Sequence, residues 1–351
     1  YWIEEIKSCD IEIDVITPSW DKSSKLVITK GDYGETIYRF PWEVNIGNLK
    51  LSRPTDILRF ILFLISWKKT INKLYKEKRN WDLVVAAWGI PAGLLLKSKK
   101  FNKINKVIWW LGSDFHKFKK GIFRFLLKII AESADENWTD TIEMRNGLLK
   151  ITNAEIKHIP NQPLSFTYAK GKKIAKIPKI LSIGRLEKVK NYEFGIKAVK
   201  ELLRSGINVT YEIIGDGAQR DYLERKIGDE KNIKILGFKN KEYINKKLKD
   251  IDIVLITSIT EGATNILFEA LNSGRILVST DVGDIREATY RTKLALTSAQ
   301  GDLSGLVNNL KKAINGYLKY DSKEAEKIFS CYSRNFSINA TKELLSKSRN
   351  F

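Results

Sequence analysis

From about residue 178 onward the chain repeats one unit: a short apolar run, a glycine-containing loop, and a stretch whose apolar residues recur every three or four positions. The runs are KILSI (179–183), VTYEII (209–214), IKIL (233–236), IDIVLIT (251–257), RILVST (275–280) and LALT (294–297). Short runs rich in β-branched residues predict buried strands. The intervening YEFGIKAVKELLRSG, QRDYLERKIG, KEYINKKLKD and DLSGLVNNLKKAING predict amphipathic helices. Strands and helices in alternation predict a doubly wound parallel sheet.

The first half follows the scheme less regularly. IEIDVITPS, WDLVVAA and KVIWWLGSD predict strands, while ILRFILFLISWKKTINKLY and FHKFKKGIFRFLLKIIAESAD predict helices. After IKHIPNQP, with Pro160 and Pro163, the polar and Lys-rich TYAKGKKIAKIPK has no clear periodicity and reads as a linker. The expectation is an α/β protein with two Rossmann-like domains, residues 1–165 and 166–330. Residues 331–351 are expected to form a helix that crosses back to the first domain.

Composition narrows the class. The chain's 351 residues suffice for two cores, and 43% hydrophobic with 29% charged is a globular balance. Two cysteines, Cys9 and Cys331, and two histidines, His116 and His158, argue against a disulfide framework or a Cys/His metal site. The start at Tyr1 has no charged segment followed by an apolar one, so no signal peptide is predicted. The longest apolar run, FILFLISW (60–67), is far short of the roughly 20 residues that span a bilayer. Charge is local: residues 51–130 hold 18 Lys/Arg against 4 Asp/Glu, a net +14 of the chain's +20. A localised basic surface predicts a phosphate-rich partner, either an anionic membrane or a nucleic acid.

Open α/β sheets bind ligands outside the carboxyl ends of their strands, which singles out the loops GRLEKVKN, GDGA and SITEGATN. In the first, Arg185 offers forked donors and Lys190 a point charge, a pair suited to a diphosphate, although a solvated basic loop is the plainer alternative. In the second, Gly215 and Gly217 permit close backbone approach. Arg220 stands where a dinucleotide fingerprint has its third glycine, which disfavours a nicotinamide cofactor. The third precedes a helix expected to begin near Thr264 or Asn265 and to stop before Gly274. An anion suits that helix start, and an acidic side chain in such a crevice can accept hydrogen bonds from ribose.

Glu261 and Glu269 bracket this start, and each has a bland explanation. Ser258 to Glu261 has capping-box spacing, and Glu269 shares a polar face with Asn265 and Asn272. Taken with Arg185 and Lys190, they describe cations for a diphosphate, one carboxylate for ribose and one for a second polyhydroxy group, which together suit a nucleotide sugar. Asp250-Ile251-Asp252 matches a metal-binding D-x-D spacing but precedes its strand, at the wrong end of the sheet, so no metal is predicted.

GRLEKVKN, GDG and the paired glutamates of EGATNILFE resemble the donor-site motifs of glycosyltransferase family 4, whose GT-B fold has two facing Rossmann-like domains. The resemblance extends to WDLVVAAWGIPAG, WWLGSD and IPN, over most of the chain. It implies that Arg185 and Lys190 hold the nucleotide diphosphate and that Glu269 takes the ribose hydroxyls. It assigns the donor sugar to Glu261, with the backbone of Gly262, Ala263, Thr264 and Asn265, and it places Gly112, Ser113 and Asp114 on the acceptor side. It also implies retention of anomeric configuration without a metal or other cofactor, the departing phosphate assisting deprotonation of the acceptor.

Two departures stand out. IEIDVIT resembles the family's second strand, so the resemblance implies that the first strand and its Gly-rich loop are missing, and Leu111 stands where the family often has His. The expected partners are a nucleotide sugar, a glycan or lipid-linked acceptor and an anionic membrane met through residues 51–130, on the cytoplasmic side. FHKFKKGIFRFLLKII, which interleaves basic and aromatic residues, is the candidate membrane element, with a core-facing helix as the alternative. The competing functions are a sugar-nucleotide epimerase on the same fold and a non-catalytic basic membrane- or nucleic-acid-binding protein.

Overall fold

In the computed structural model, the described residues are 2–7, 9, 11–20, 25–44, 53–77, 80–119, 121, 123–160, 169–262, 264–332 and 335–348. They form two compact units. The first comprises Tyr1–Asp140, Met144–Asn161 and Arg334–Phe351, and the second Thr141–Glu143 and Gln162–Ser333.

In the first unit the order is α1 (Trp2–Lys7), β1 (Asp14–Pro18), β2 (Val27–Lys30), β3 (Thr36–Phe40), α2 (Pro54–Lys76), β4 (Leu83–Ala87), β5 (Asn105–Trp110), α3 (Ser113–His116), α4 (Phe123–Ala131), β6 (Glu136–Thr139), α5 (Ile142–Leu149) and β7 (Ile156–His158). β4-β5-β6-β7 form a four-stranded parallel sheet, while β1 pairs parallel and β2 antiparallel with β3 in a separate three-stranded sheet.

The helix predicted across residues 115–135 is interrupted. α3 ends at His116 and α4 starts at Phe123, with Gly121 between them at φ 65°, a left-handed conformation that glycine adopts at little cost. α2 carries the sequence marks of its ends: Pro54 in its first turn, Asp56 near its N-terminus, and Lys73 and Lys76 in the last turn.

The second unit continues with β8 (Lys179–Ile183), α6 (Tyr192–Arg204), β9 (Thr210–Ile214), α7 (Arg220–Ile227), β10 (Ile233–Gly237), α8 (Lys241–Asp250), β11 (Ile253–Ile256), α9 (Asn265–Asn272), β12 (Ile276–Thr280), α10 (Ile285–Ala288), β13 (Ala295–Ser298), α11 (Leu303–Ile314) and α12 (Ser322–Cys331). The last helix, α13 (Asn335–Ser348), lies in the first unit, where Ala340 and Leu344 pack with Val107, Trp109 and Trp138. Asn105 donates to the Leu344 carbonyl at 2.8 Å.

The sheet of the second unit is fully parallel, in the order β10-β9-β8-β11-β12-β13. Alternate residues feed two cores. Ile180, Ile253 and Leu255 pack on one face beneath α6 and α11, and Leu181, Val254 and Ile256 on the other with α9 and α12. Burial on both faces explains why these strands read as nearly continuous apolar runs. Strand order reverses between β8 and β11, and that switch point positions the candidate site.

Candidate functional site

β8 and β11 lie side by side, and the loops leaving their carboxyl ends are bonded to each other. Ile259 N–H donates to the Val189 carbonyl at 2.8 Å, and Thr257 Oγ1 donates to the Lys190 carbonyl at 3.0 Å. Lys190 ends one tight helical turn, Lys188–Lys190, and precedes Asn191, whose left-handed φ of 48° redirects the chain into α6. Its ammonium reaches both Glu261 carboxylate oxygens, at 2.6 and 2.9 Å. Ser258 Oγ, itself buried, donates to the same carboxylate. Ser258 and Glu261 therefore share a loop contact rather than a helix cap. Thr280 Oγ1 donates to the Ser258 carbonyl at 2.7 Å, which anchors the loop from β12. The lysine and glutamate side chains are 25% and 13% exposed, so the pair is sheltered from solvent on most sides.

Arg185, two residues beyond β8, is exposed and has no side-chain partner among the described residues. Gly184 and Leu186 donate backbone hydrogen bonds to Ile214 and Asp216, which zips this loop to the one after β9. Gly215 and Gly217 make that zipper possible. A Cβ on Gly215 would sit 1.9 Å from the Gly184 carbonyl oxygen, and one on Gly217 would sit 2.8 Å from that of Leu186. The close approach predicted for these glycines is made by the neighbouring loop.

α9 begins at Asn265, with Thr264 in the cap position. Its first N–H groups have no intrahelical acceptor, as at any helix start. Thr264 Oγ1 is buried without a hydrogen-bond partner. Gly283 makes room beneath this turn, since a Cβ there would lie 2.7 Å from the Gly262 carbonyl oxygen and 2.9 Å from Thr264 Oγ1. Ala263 lies outside the described residues. Glu269 is half-buried in the second turn of α9 and has no hydrogen bond or ion pair among the described residues. Burial pushes its carboxyl above the usual range, against the opposing pull of Lys241.

In the first unit Gly112, at φ 116°, ends the β5 loop and Ser113 opens α3. Asp114 is turned inward: it is 3% exposed, and its carboxylate accepts from Gly89 N–H at 2.6 Å and from Phe115 N–H at 3.2 Å. Burial pushes this carboxyl up to about 6 from its usual 3.8, even though the backbone donors pull it down. Its contribution to stability is therefore fully present below the unfolded value and is lost as pH rises through about 6, a change on the order of 3 kcal/mol. Asp114→Asn should remove that slope, so the variant should gain on the native chain between pH 4 and pH 7. Urea denaturation at both pH values measures this, and parallel pH profiles would contradict it.

Trp109 and Trp110, which a nucleic-acid binder would use for stacking, are core residues. Their indole N–H groups bond to the Ile159 carbonyl and to Asn137, both at 3.0 Å. The D-x-D aspartates are held by lysines, Asp250 by Lys179 at 2.9 Å and Asp252 by Lys172 at 3.1 Å. Sequence reasoning named Ser258 only as a possible helix cap and missed Thr257 and Gly283, which follow strand ends. That position was the only signal available for them.

Residues 177–315, which hold the site residues from Arg185 to Gly283, match the family model described as "Glycosyl transferases group 1". Protein CapJ of Staphylococcus aureus is 23% identical over 308 residues, 80% of this chain and 78% of that one. The amylovoran biosynthesis glycosyltransferase AmsK of Erwinia amylovora is 31% identical over 147 residues, 39% of this chain and 36% of its own length. Among solved structures, a trehalose-6-phosphate protein from E. coli bound with UDP-2-fluoro glucose aligns with TM-score 0.74 at 10% identity, covering 98% of this chain and 95% of that one. Over residues 177–315, most of its second unit, the chain thus matches the group 1 glycosyltransferases, and its two parallel sheets follow the GT-B fold of the solved structures it resembles.

Proposed function

We propose that the protein transfers a hexose from a nucleotide-diphosphate sugar to a hydroxyl of a glycan or lipid-linked acceptor, with retention of anomeric configuration and without a metal. The observation that carries this reading is the Lys190–Glu261 pair at the switch point, on loops that also lead to Arg185 and to the half-buried Glu269, neither of which has a side-chain hydrogen bond or ion pair among the described residues. In this reading Arg185 and Lys190 bind the diphosphate, Glu269 accepts hydrogen bonds from the ribose hydroxyls, and Glu261 orients the sugar. The bond from the anomeric carbon to the β-phosphate oxygen breaks, and the acceptor oxygen bonds to the same face. The acceptor proton passes to the departing phosphate. Catalysis then consists of orientation plus stabilisation of the charge developing on the diphosphate, which the two cations supply.

The likeness to a structure bound with UDP-2-fluoro glucose supports a uridine-diphosphate donor, and the likeness to an amylovoran biosynthesis enzyme supports a role in cell-surface polysaccharide or glycolipid synthesis. The basic stretch 51–130 supports work at the inner face of an anionic membrane, where a lipid-linked acceptor would be met. Among the described residues no helix is long and apolar enough to cross a membrane.

Thermal stabilisation by a panel of UDP-glucose, UDP-galactose, UDP-N-acetylglucosamine and GDP-mannose tests the donor site. A binder should gain about 2.7 kcal/mol at 100 times its dissociation constant. Glu269→Ala should weaken binding by roughly 10- to 100-fold, the usual worth of hydrogen bonds to a charged group. Absence of stabilisation by every donor would remove the reading.

A further inference from the structure

We propose that the solvent face of α2 is a two-part docking surface for an anionic lipid bilayer, its N-terminal half entering the interface and its C-terminal half binding lipid phosphates. The proposal deepens the membrane reading above and rests on it.

Phe63, Ile71 and Leu74 turn one side of α2 into the core. On the opposite side, Ile57, Leu58, Ile61, Leu62 and Ile65 are each between 42% and 58% exposed. At 100° per residue these five fall on one stripe, about 12 Å long at 1.5 Å per residue. Five large aliphatic side chains exposed side by side are not the scattered apolar residues of an ordinary surface.

The next turns carry Lys68, Lys69, Lys73 and Lys76, all exposed and none ion-paired among the described residues. Of the acidic residues along this helix, Asp56 is buried and paired with Arg59 at 3.4 Å, which leaves Glu77 at the C-cap as the one acidic neighbour in sequence of four lysines. An aliphatic stripe continued by a lysine cluster suits a helix lying in the headgroup region, apolar side chains below and ammonium groups at the phosphates. A second copy of the chain carries the same net charge of +20 and would bring like charge to these lysines, so charge favours the lipid surface. α4 also exposes Phe123 and Phe125. However, its basic residues there are engaged, Arg124 by the Lys150 carbonyl and Lys128 by Glu132.

The test is co-sedimentation of the full chain with vesicles of phosphatidylcholine alone or with 30% phosphatidylglycerol. Three variants are compared: Leu58→Ser/Ile61→Ser/Ile65→Ser, Lys68→Ala/Lys69→Ala/Lys73→Ala/Lys76→Ala, and Phe123→Ser/Phe125→Ser. The native chain should prefer anionic vesicles. The lysine variant should lose that preference by roughly 600-fold, given about 5-fold for each of four lysines near such a surface. The aliphatic variant should lose binding altogether, and the phenylalanine variant should keep it. All three altered surfaces are exposed, so melting temperatures and donor-induced stabilisation without vesicles should stay native. The stabilisation result reports on the donor site separately from the docking face. Undiminished vesicle binding by either α2 variant, equal native binding to neutral vesicles, or a native dimer that the aliphatic variant dissociates would overturn the proposal.

Discussion

Lys190→Ala is expected to lower sugar transfer by about 10²- to 10³-fold, the usual cost of removing one preorganised charge-stabilising group. The reason lies in where the ammonium sits. It is held against Glu261 at 2.6 and 2.9 Å, on a loop bonded to the β11 loop through Val189 and Lys190 carbonyls, so it is positioned before any ligand arrives. In the proposed reading, a diphosphate would bring competing oxygens and take over part of that coordination, which would free Glu261 toward the sugar. The loss should appear mainly in kcat, because charge on the departing phosphate grows toward the transition state. Lys190→Arg should recover only part of it, since a forked guanidinium does not reproduce a compact ammonium. Steady-state kinetics of the three proteins measures this. A rise in KM with unchanged kcat would show that Lys190 contributes to binding alone.

Gly215→Ala should be among the most damaging single changes outside the hydrophobic cores, destabilising the fold by roughly 4 kcal/mol. The new Cβ would fall 1.9 Å from the Gly184 carbonyl oxygen, and the residue would have to hold φ at 148°. Backbone, rather than a flexible side chain, is what stands in the way. Relief requires pulling the β8 and β9 loops apart, which breaks the Gly184–Ile214 and Leu186–Asp216 hydrogen bonds and displaces Arg185. Urea denaturation should show the loss, together with weakened donor binding by whatever remains folded. A variant within about 1 kcal/mol of the native chain would contradict the packing described for these loops.

The second unit was legible in the sequence because both faces of its sheet are buried, which leaves apolar runs that hydrophobic periodicity detects. The first unit was less so, for a physical reason. β6 reads ENWT, yet all four residues are buried, Glu136 paired with Lys157 and Asn137 bonded to Trp110. A strand whose burial is balanced by polar partners gives no apolar signal. β2, β3 and β7 are short and largely half-exposed or exposed, and no periodicity pointed to them. The break near Gly121 was hidden by a helical pattern running through it.

Within the candidate site, the positions of Glu261 and Glu269 could be inferred from a strand, a loop and a helix start. Their circumstances could not. The partner of Glu261 lies 71 positions away, and the neighbour that requires Gly215 comes from another loop. In α2 the run ILRFILFLI is apolar around much of the helix, so only tertiary packing distinguishes the buried side from the exposed stripe.

Metal-independent retaining transfer from a nucleotide sugar can be followed with water as the acceptor. Each donor of the panel would be incubated with the protein in EDTA, and proton NMR would follow the first sugar released. Retaining transfer should yield nucleoside diphosphate together with the α-anomer when the donor is α-linked, at a rate that added magnesium does not change. Release of the β-anomer first, turnover only with magnesium, or an isomerised sugar nucleotide in place of a released sugar would contradict it.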